Sequence, residues 1–215
     1  MILRSLSLAL CVLWLSGCAA KQQPTPTPAD PAQTAAVAAY MQSPLFAGTA
    51  SSPDTIILFT NPQCPACRAE WPIMRALVES RPEGSIKLVI VGQGFDHDGT
   101  AALYAAALIA EQNQALGRQY LSEVMEYWGT RPTEDFALWN KNWQTRSGSA
   151  VDMQRFRAGT STDAAKAFNE ATLKVAVDYK VEYTPTVVIN GRVYTGERSV
   201  PAYAAFMKKS RPSDR

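Results

Sequence analysis

The stretch "NPQCPACRAEWP", Asn61 to Pro72, decides how the rest of the chain is read. Cys64 and Cys67 stand two residues apart where an extended segment turns into a helix. Upstream, "TIILFT" (Thr55 to Thr60) is β-branched and apolar with no helical stripe, which predicts a buried strand. From Cys64 a helix is expected, with Pro65 in the tolerated first turn. Trp71, Met74 and Leu77 or Val78 give it an apolar face. Pro72 falls inside that helix and is expected to kink it. Downstream, "SIKLVIV" (Ser85 to Val91) predicts a second buried strand. Strand, helix and strand make a β-α-β unit, whose two strands should be parallel.

Such a cysteine pair can hold a metal, staple a fold or exchange electrons. The N-terminus narrows the choice. "MILRSLSLALCVLWLSGCAA" has one cation, Arg4, then an apolar run from Leu6 to Leu15. That run is short for a membrane helix and has the layout of a secretory signal. It ends in Leu15-Ser16-Gly17-Cys18, which resembles the lipobox of bacterial lipoproteins. The resemblance implies that Cys18 carries lipid and becomes the mature N-terminus, several acyl chains giving a stable anchor. It also implies that neutral Ala19 and Ala20 send the protein to the outer membrane of a Gram-negative envelope. The alternative is an ordinary secreted protein with a chance cysteine.

Of the four cysteines, Cys11 then lies in the removed segment and Cys18 is lipidated. Cys64 and Cys67 alone remain for the mature domain. Structural zinc sites want four ligands, usually from two such pairs, and the chain has one histidine, His97. No metal site is expected. An exported location permits disulfide chemistry.

A merely structural disulfide would close a very small loop, where the stabilisation is least. Exchange fits better. The thiolate is the attacking species, and a helix N-terminus presents free N–H groups and a positive dipole end that favour it. Cys64 sits there and is expected to be the nucleophile. Cys67, one turn in, is expected to be more covered and to resolve the mixed disulfide. Pro65 stiffens the motif around Ala66, and Arg68 adds a nearby cation. The pair itself carries two electrons, so no dissociable cofactor is expected.

The 215 residues are 47% hydrophobic and 19% charged, enough for one core plus an inserted subdomain. A net charge of +2 argues against a nucleic-acid partner. After Cys18, "KQQPTPTPADPAQT" carries Pro24, Pro26, Pro28 and Pro31 and predicts an extended tether, roughly 40 Å long at about 3.1 Å per residue. "AAVAAYMQ" (Ala35 to Gln42) predicts a short helix. Between "GTAALYAAALIAEQNQ" and "STDAAKAFNEATLKVAVDYK" the pattern is helical, with Thr133 as a candidate N-cap. "TVVIN" (Thr186 to Asn190) predicts a further strand, turned by Asn190-Gly191 into "RVYTG". A final helix is expected over about Val200 to Lys209. His97, between Asp96 and Asp98, is read as a loop residue. Trp139 and Trp143, spaced i, i+4 near Phe136, either pack the inserted helices or form a peptide-binding surface; Trp128 is equally open.

The order strand, C-P-x-C, helix, strand and then "YTPTVVING" resembles the thioredoxin fold. The resemblance implies a cis proline at Pro185, with Thr184 and Pro185 as the ledge for an extended substrate strand. The helical insertion, with "AALYAAALIAEQNQ" and "VEYTPTVVINGRVYTG", resembles the DsbA-like disulfide oxidoreductases. The motif "CPACRAEWP" is instead similar to C-x-x-C-R-A-E-x-P of the TlpA- and ResA-like reductases. There the acid matching Glu70 tunes the pair. Glu70 is accordingly either a carboxylate near the cysteines, opposing the thiolate, or a solvated helix residue. The buried acid that DsbA and thioredoxin carry on the preceding strand is replaced here by Leu58. Thr184 resembles the isomerases and reductases more than the strong oxidases, while the dimerisation domain of DsbC-like isomerases has no room before Thr55.

The expected organisation is a signal peptide over 1–17, a lipid anchor and tether over 18–34, an α/β thioredoxin-like domain over 35–98 and 163–215, and a helical insertion over 99–162. The expected activity is thiol–disulfide exchange with cysteines of exported proteins, served by a membrane redox partner, on the periplasmic side of the envelope. The direction of electron flow stays open. Two alternatives are a non-catalytic binding module of an envelope assembly and a Cu(I) carrier using the same thiolates.

Overall fold

The computed structural model describes residues 45–93, 97–127, 136–147, 151–152 and 162–211. The signal peptide, Cys18, the tether, the helix expected over 35–42, Trp128 and Thr133 lie outside them. Five strands form one sheet in the order β1-β3-β2-β4-β5. They are β1 (Leu45–Ala47), β2 (Asp54–Thr60), β3 (Ile86–Gly92), β4 (Thr186–Ile189) and β5 (Arg192–Val193). The described helices are α1 (Pro65–Glu79), α2 (His97–Gln112), α3 (Gln114–Glu126), α4 (Phe136–Ser147), α5 (Thr162–Asp178) and α6 (Val200–Ser210).

The β-branched runs pair as expected. β2 and β3 are parallel, in register from Asp54↔Ile86 to Thr60↔Gly92. β4 joins β2 antiparallel, Phe59 opposite Thr186. Side chains alternate across the sheet, so each strand feeds two cores. Ile56, Leu58, Leu88, Ile90, Val187 and Ile189 meet Trp71, Met74 and Leu77 of α1, Tyr203 and Met207 of α6, and the helices of the insertion. Ile57, Phe59, Val89, Val91 and Val188 meet Val175 and Ala176 of α5 and Tyr179 just after it. With helices on both faces, β2 and β3 can be apolar almost throughout.

The Asn190-Gly191 turn has the two positive φ angles, 49° and 77°, that a tight hairpin requires. Asn190 also works as a corner post. Its carboxamide accepts from Thr55 N and donates to Asp54, Met207 O and Ser210. Arg211 pairs with the same Asp54, so the start of β2, the β4 turn and the end of α6 share one polar knot.

One expectation needs correction: His97 is not a loop residue but the first residue of α2, which begins before the Asp98-Gly99-Thr100 start signal. And "LFA", Leu45 to Ala47, forms an edge strand not foreseen. It pairs antiparallel with β3 through a bulge. The insertion holds the strand and the residue after it: Arg118 donates to Phe46 O and Gln114 to Gly48 O.

The insertion is a packed unit. Asn113 caps α3 by accepting from Leu116 N at 3.0 Å. Gly117 lets α3 lie close on α2, since a Cβ there would come within 2.5 Å of Ala110 Cβ. Tyr120 stands edge-on to Trp139 and Trp143, at ring separations of 5.6 and 4.6 Å. Both tryptophans are buried, so they are core of the insertion and not a peptide-binding surface.

Candidate active site

Cys64 is the N-cap of α1, extended at φ −77° and ψ 119°, with Pro65 as the first helical residue. The loop ahead of it is held from both sides. Asn61 accepts from Gln63 N through its side chain at 2.8 Å and from Cys64 N through its carbonyl at 3.0 Å. Arg68 reaches back to donate to Pro62 O and Gln63 O. Its guanidinium thus fixes the entry to the motif as well as adding charge near it.

The two thiols differ as the helix position predicts. Cys64 is half-buried and Cys67 fully buried, and both are free thiols. Pro65 and Ala66 are exposed. Cys67 Sγ accepts from Asn61 N at 3.4 Å. Across the site, the Thr184-Pro185 peptide bond is cis, and Cys64 Sγ donates to Thr184 O at 3.6 Å. The structure therefore brings together Cys64, Cys67, Thr184 and Pro185 from two segments 120 residues apart. Tyr183, next to this pair, is exposed.

Burial works against the Cys64 thiolate. Hydrogen bonds from the Cys67 backbone and thiol, from Thr184 and from the Ala66 backbone outweigh it and hold its pKa below the ordinary thiol value. Burial pushes the Cys67 thiol up, and the neighbouring Cys64 adds to that. Alkylation of the reduced protein by iodoacetamide should therefore show a first midpoint below the ordinary thiol pKa, mapped by peptide mass to Cys64. Cys67 should react only at higher pH. A single midpoint at the ordinary value, shared by both sites, would contradict the assignment. The sign for stability follows: the reduced fold gains stability as pH rises through the folded Cys64 pKa toward the ordinary value. It loses stability again above that value, where Cys67 keeps a proton that the unfolded chain releases.

Glu70 is not solvated, and its carboxylate is bound by Arg198 and Tyr203. It is 1% exposed. Its Oε1 accepts from Tyr203 OH at 2.6 Å and its Oε2 from Arg198 at 3.0 Å. Arg198 and Tyr203 are partners of Glu70 that the sequence did not reveal. Burial and the adjacent Glu70 hold the Tyr203 phenol well above its ordinary range, so it stays a donor. Leu58, where related folds place an acid, is wholly buried among apolar side chains. Among the described residues no group of three or more His, Cys, Asp or Glu could hold a metal ion, and no helix is long and apolar enough to cross a membrane.

The thioredoxin family model matches residues 41–209. No curated protein matches the chain. Among solved structures, the chain is similar to oxidised BdbD from Bacillus subtilis, with TM-score 0.63 and 14% identity over 79% of this chain and 92% of that one. It is similar to the thiol-disulfide exchange protein alpha-DsbA2 from Wolbachia pipientis, with TM-score 0.61 and 14% identity over 81% and 93%. It is also similar to the catalytic domain of Proteus mirabilis ScsC, with TM-score 0.61 and 15% identity over 81% and 96%. These likenesses share the sheet and the inserted helices.

Proposed function

The chain belongs to the thioredoxin family, and from that premise we propose that it is an envelope thiol–disulfide oxidoreductase working through Cys64 and Cys67. One observation carries the reading: a half-buried thiol at a helix N-terminus, its pKa lowered, lies 3.6 Å from the carbonyl that precedes a cis proline.

In the reducing direction the Cys64 thiolate attacks one sulfur of a substrate disulfide. A Cys64–substrate S–S bond forms and a substrate thiolate leaves. The Cys67 thiol then gives up its proton and attacks Cys64 Sγ, closing the Cys64–Cys67 disulfide and releasing the second substrate thiol. The substrate gains two electrons and the pair loses them; the same steps reversed donate a disulfide. Burial of Cys67 keeps its sulfur protonated and away from solvent until Cys64 is engaged. Thr184 and Pro185 present backbone to an extended cysteine-bearing segment. The proposed substrates are exported proteins, and a membrane partner would recharge the pair. Lipidation at Cys18, behind the proline-rich tether, would hold the domain at the periplasmic side of the envelope, with the outer membrane favoured by Ala19. Pro65, Ala66, Arg68 and Glu70 shape the couple without touching substrate sulfur.

Stabilising the Cys64 thiolate stabilises the dithiol and makes the pair more oxidising, whereas burying Cys67 does the reverse. The deciding measurement is the reduction potential of the purified domain in glutathione buffers. A value near about −120 mV identifies a disulfide donor, and one near about −270 mV or below a reductase fed with electrons. Absence of any reversible two-electron couple would overturn the reading in favour of a binding module.

A further inference from the structure

Glu70, Arg198 and Pro185 form a continuous bridge from the cysteine helix to the substrate ledge. Arg198 lies in the loop between β5 and α6. One arm of its guanidinium donates to Glu70 Oε2 at 3.0 Å, and the other donates to Pro185 O at 3.0 Å. The β2–β4 ladder begins at the Phe59↔Thr186 pair, so Pro185 lies just beyond its end. Arg198 thus supplies a donor to a carbonyl outside the sheet's ladder with β2. The preceding carbonyl, that of Thr184, is the one facing Cys64 Sγ. Glu70, in turn, sits one turn of α1 beyond Cys67. A planar fork with two donors at fixed spacing suits this task, and an ammonium does not reproduce it.

We propose that Arg198 is a positioning residue that locks the Thr184–Pro185 ledge to the Cys64 helix, and so governs exchange with peptide disulfides rather than with small ones. The inference rests on the oxidoreductase reading. A small disulfide needs only the Cys64 sulfur. A peptide must also lie along the ledge, at a distance the bridge sets. Tyr203 is the internal control: its hydroxyl donates to the other oxygen of Glu70, whereas the donor to Pro185 O is Arg198.

The test compares second-order rates of the reduced full-length protein toward glutathione disulfide and toward an extended peptide, about ten residues long, whose one cysteine is capped by glutathione. Arg198→Lys keeps a cation for Glu70 but loses the fork. Its peptide rate should fall about tenfold, the scale of one charge-assisted hydrogen bond and a small misplacement, while the glutathione disulfide rate moves less than about twofold. Arg198→Gln should reproduce the drop in the ratio. Tyr203→Phe should lower the melting temperature and leave the ratio of the two rates at the wild-type value. An unchanged ratio in both Arg198 variants, an equal fall of both rates, or a matching drop in Tyr203→Phe would overturn the proposal. If the wild-type protein reacts with neither disulfide, the oxidoreductase reading itself falls and this inference with it.

Discussion

Cys64→Ser should reduce turnover of a peptide disulfide by roughly 10³-fold or more, down to the background rate, because the nucleophile is the one part of the unit without a substitute. A serine hydroxyl can take the N-cap position, where its oxygen accepts backbone N–H bonds at least as well as sulfur does. The fold should accordingly persist, with a melting temperature close to that of the reduced wild type. What is lost is sulfur: an alcohol neither ionises near neutral pH nor forms the mixed disulfide. Cys67→Ser gives the complementary result. Cys64 still attacks but nothing resolves the product, so adducts of the substrate mass should accumulate on the intact protein and vanish with dithiothreitol. Catalytic exchange by the Cys64→Ser protein, or a Cys67→Ser protein that never accumulates adducts, would remove the division of labour proposed for the pair.

Trp71→Ala should cost about 3–5 kcal/mol, the range for deleting a fully buried large aromatic. A typical domain holds only about 5–15 kcal/mol in total. The indole is 0% exposed, and its Nε1 donates to Ser122 of α3 at 2.9 Å. Ser122 also receives Arg75 of α1 and donates back to Arg118 O. One side chain therefore joins the cysteine helix to the insertion both by packing and by a polar relay. In a chain of this size the loss should lower the melting temperature by about 10 °C. Trp71→Phe, which keeps most of the ring but drops the N–H, should cost about 1–2 kcal/mol. Thermal unfolding of both variants checks the pair of values. A Trp71→Ala protein within about 1 kcal/mol of wild type would mean that the insertion and the sheet are not one cooperative unit.

The parts that sequence made legible are those specified locally. A β-branched apolar run, a proline after the first cysteine, an Asn-Gly turn and the Thr-Pro pair each constrain their own backbone. β2, the start of α1, β3, the hairpin and the cis Thr184-Pro185 bond are found where they were expected. The rest is specified by partners distant in the chain. β1 is three residues long and is a strand because the edge of β3 and two side chains of α3 complete it. Arg198 and Tyr203 lie 128 and 133 residues beyond Glu70, and no spacing rule links them. Glu70 itself could have been placed better. Cys67, Glu70, Trp71, Met74 and Leu77 are the buried residues of α1, and their helical spacing puts the acid on the inner stripe. A carboxylate on such a stripe needs a cationic or hydrogen-bonding partner, which is the missing half of the reading. The Asp98-Gly99-Thr100 signal does not mark the helix start, because a first turn ahead of a capping signal is carried by the packing of the turns that follow it.

The direction of β1 has a consequence for geography. It runs antiparallel to β3, with Leu45 opposite Val89, and Val89 stands opposite Ile57 in β2. Leu45 is thus about 10 Å, three residues of strand, short of the level of Thr60, and two strand spacings, also about 10 Å, to its side. β1 runs from there toward the start of β3, away from the rim that carries the cysteines. The turn after it, where a Cβ on Gly48 would come within 2.2 Å of Ile86 O, therefore lies at the opposite end of the sheet from Cys64. A substitution in that turn should strain the fold and leave the exchange chemistry untouched.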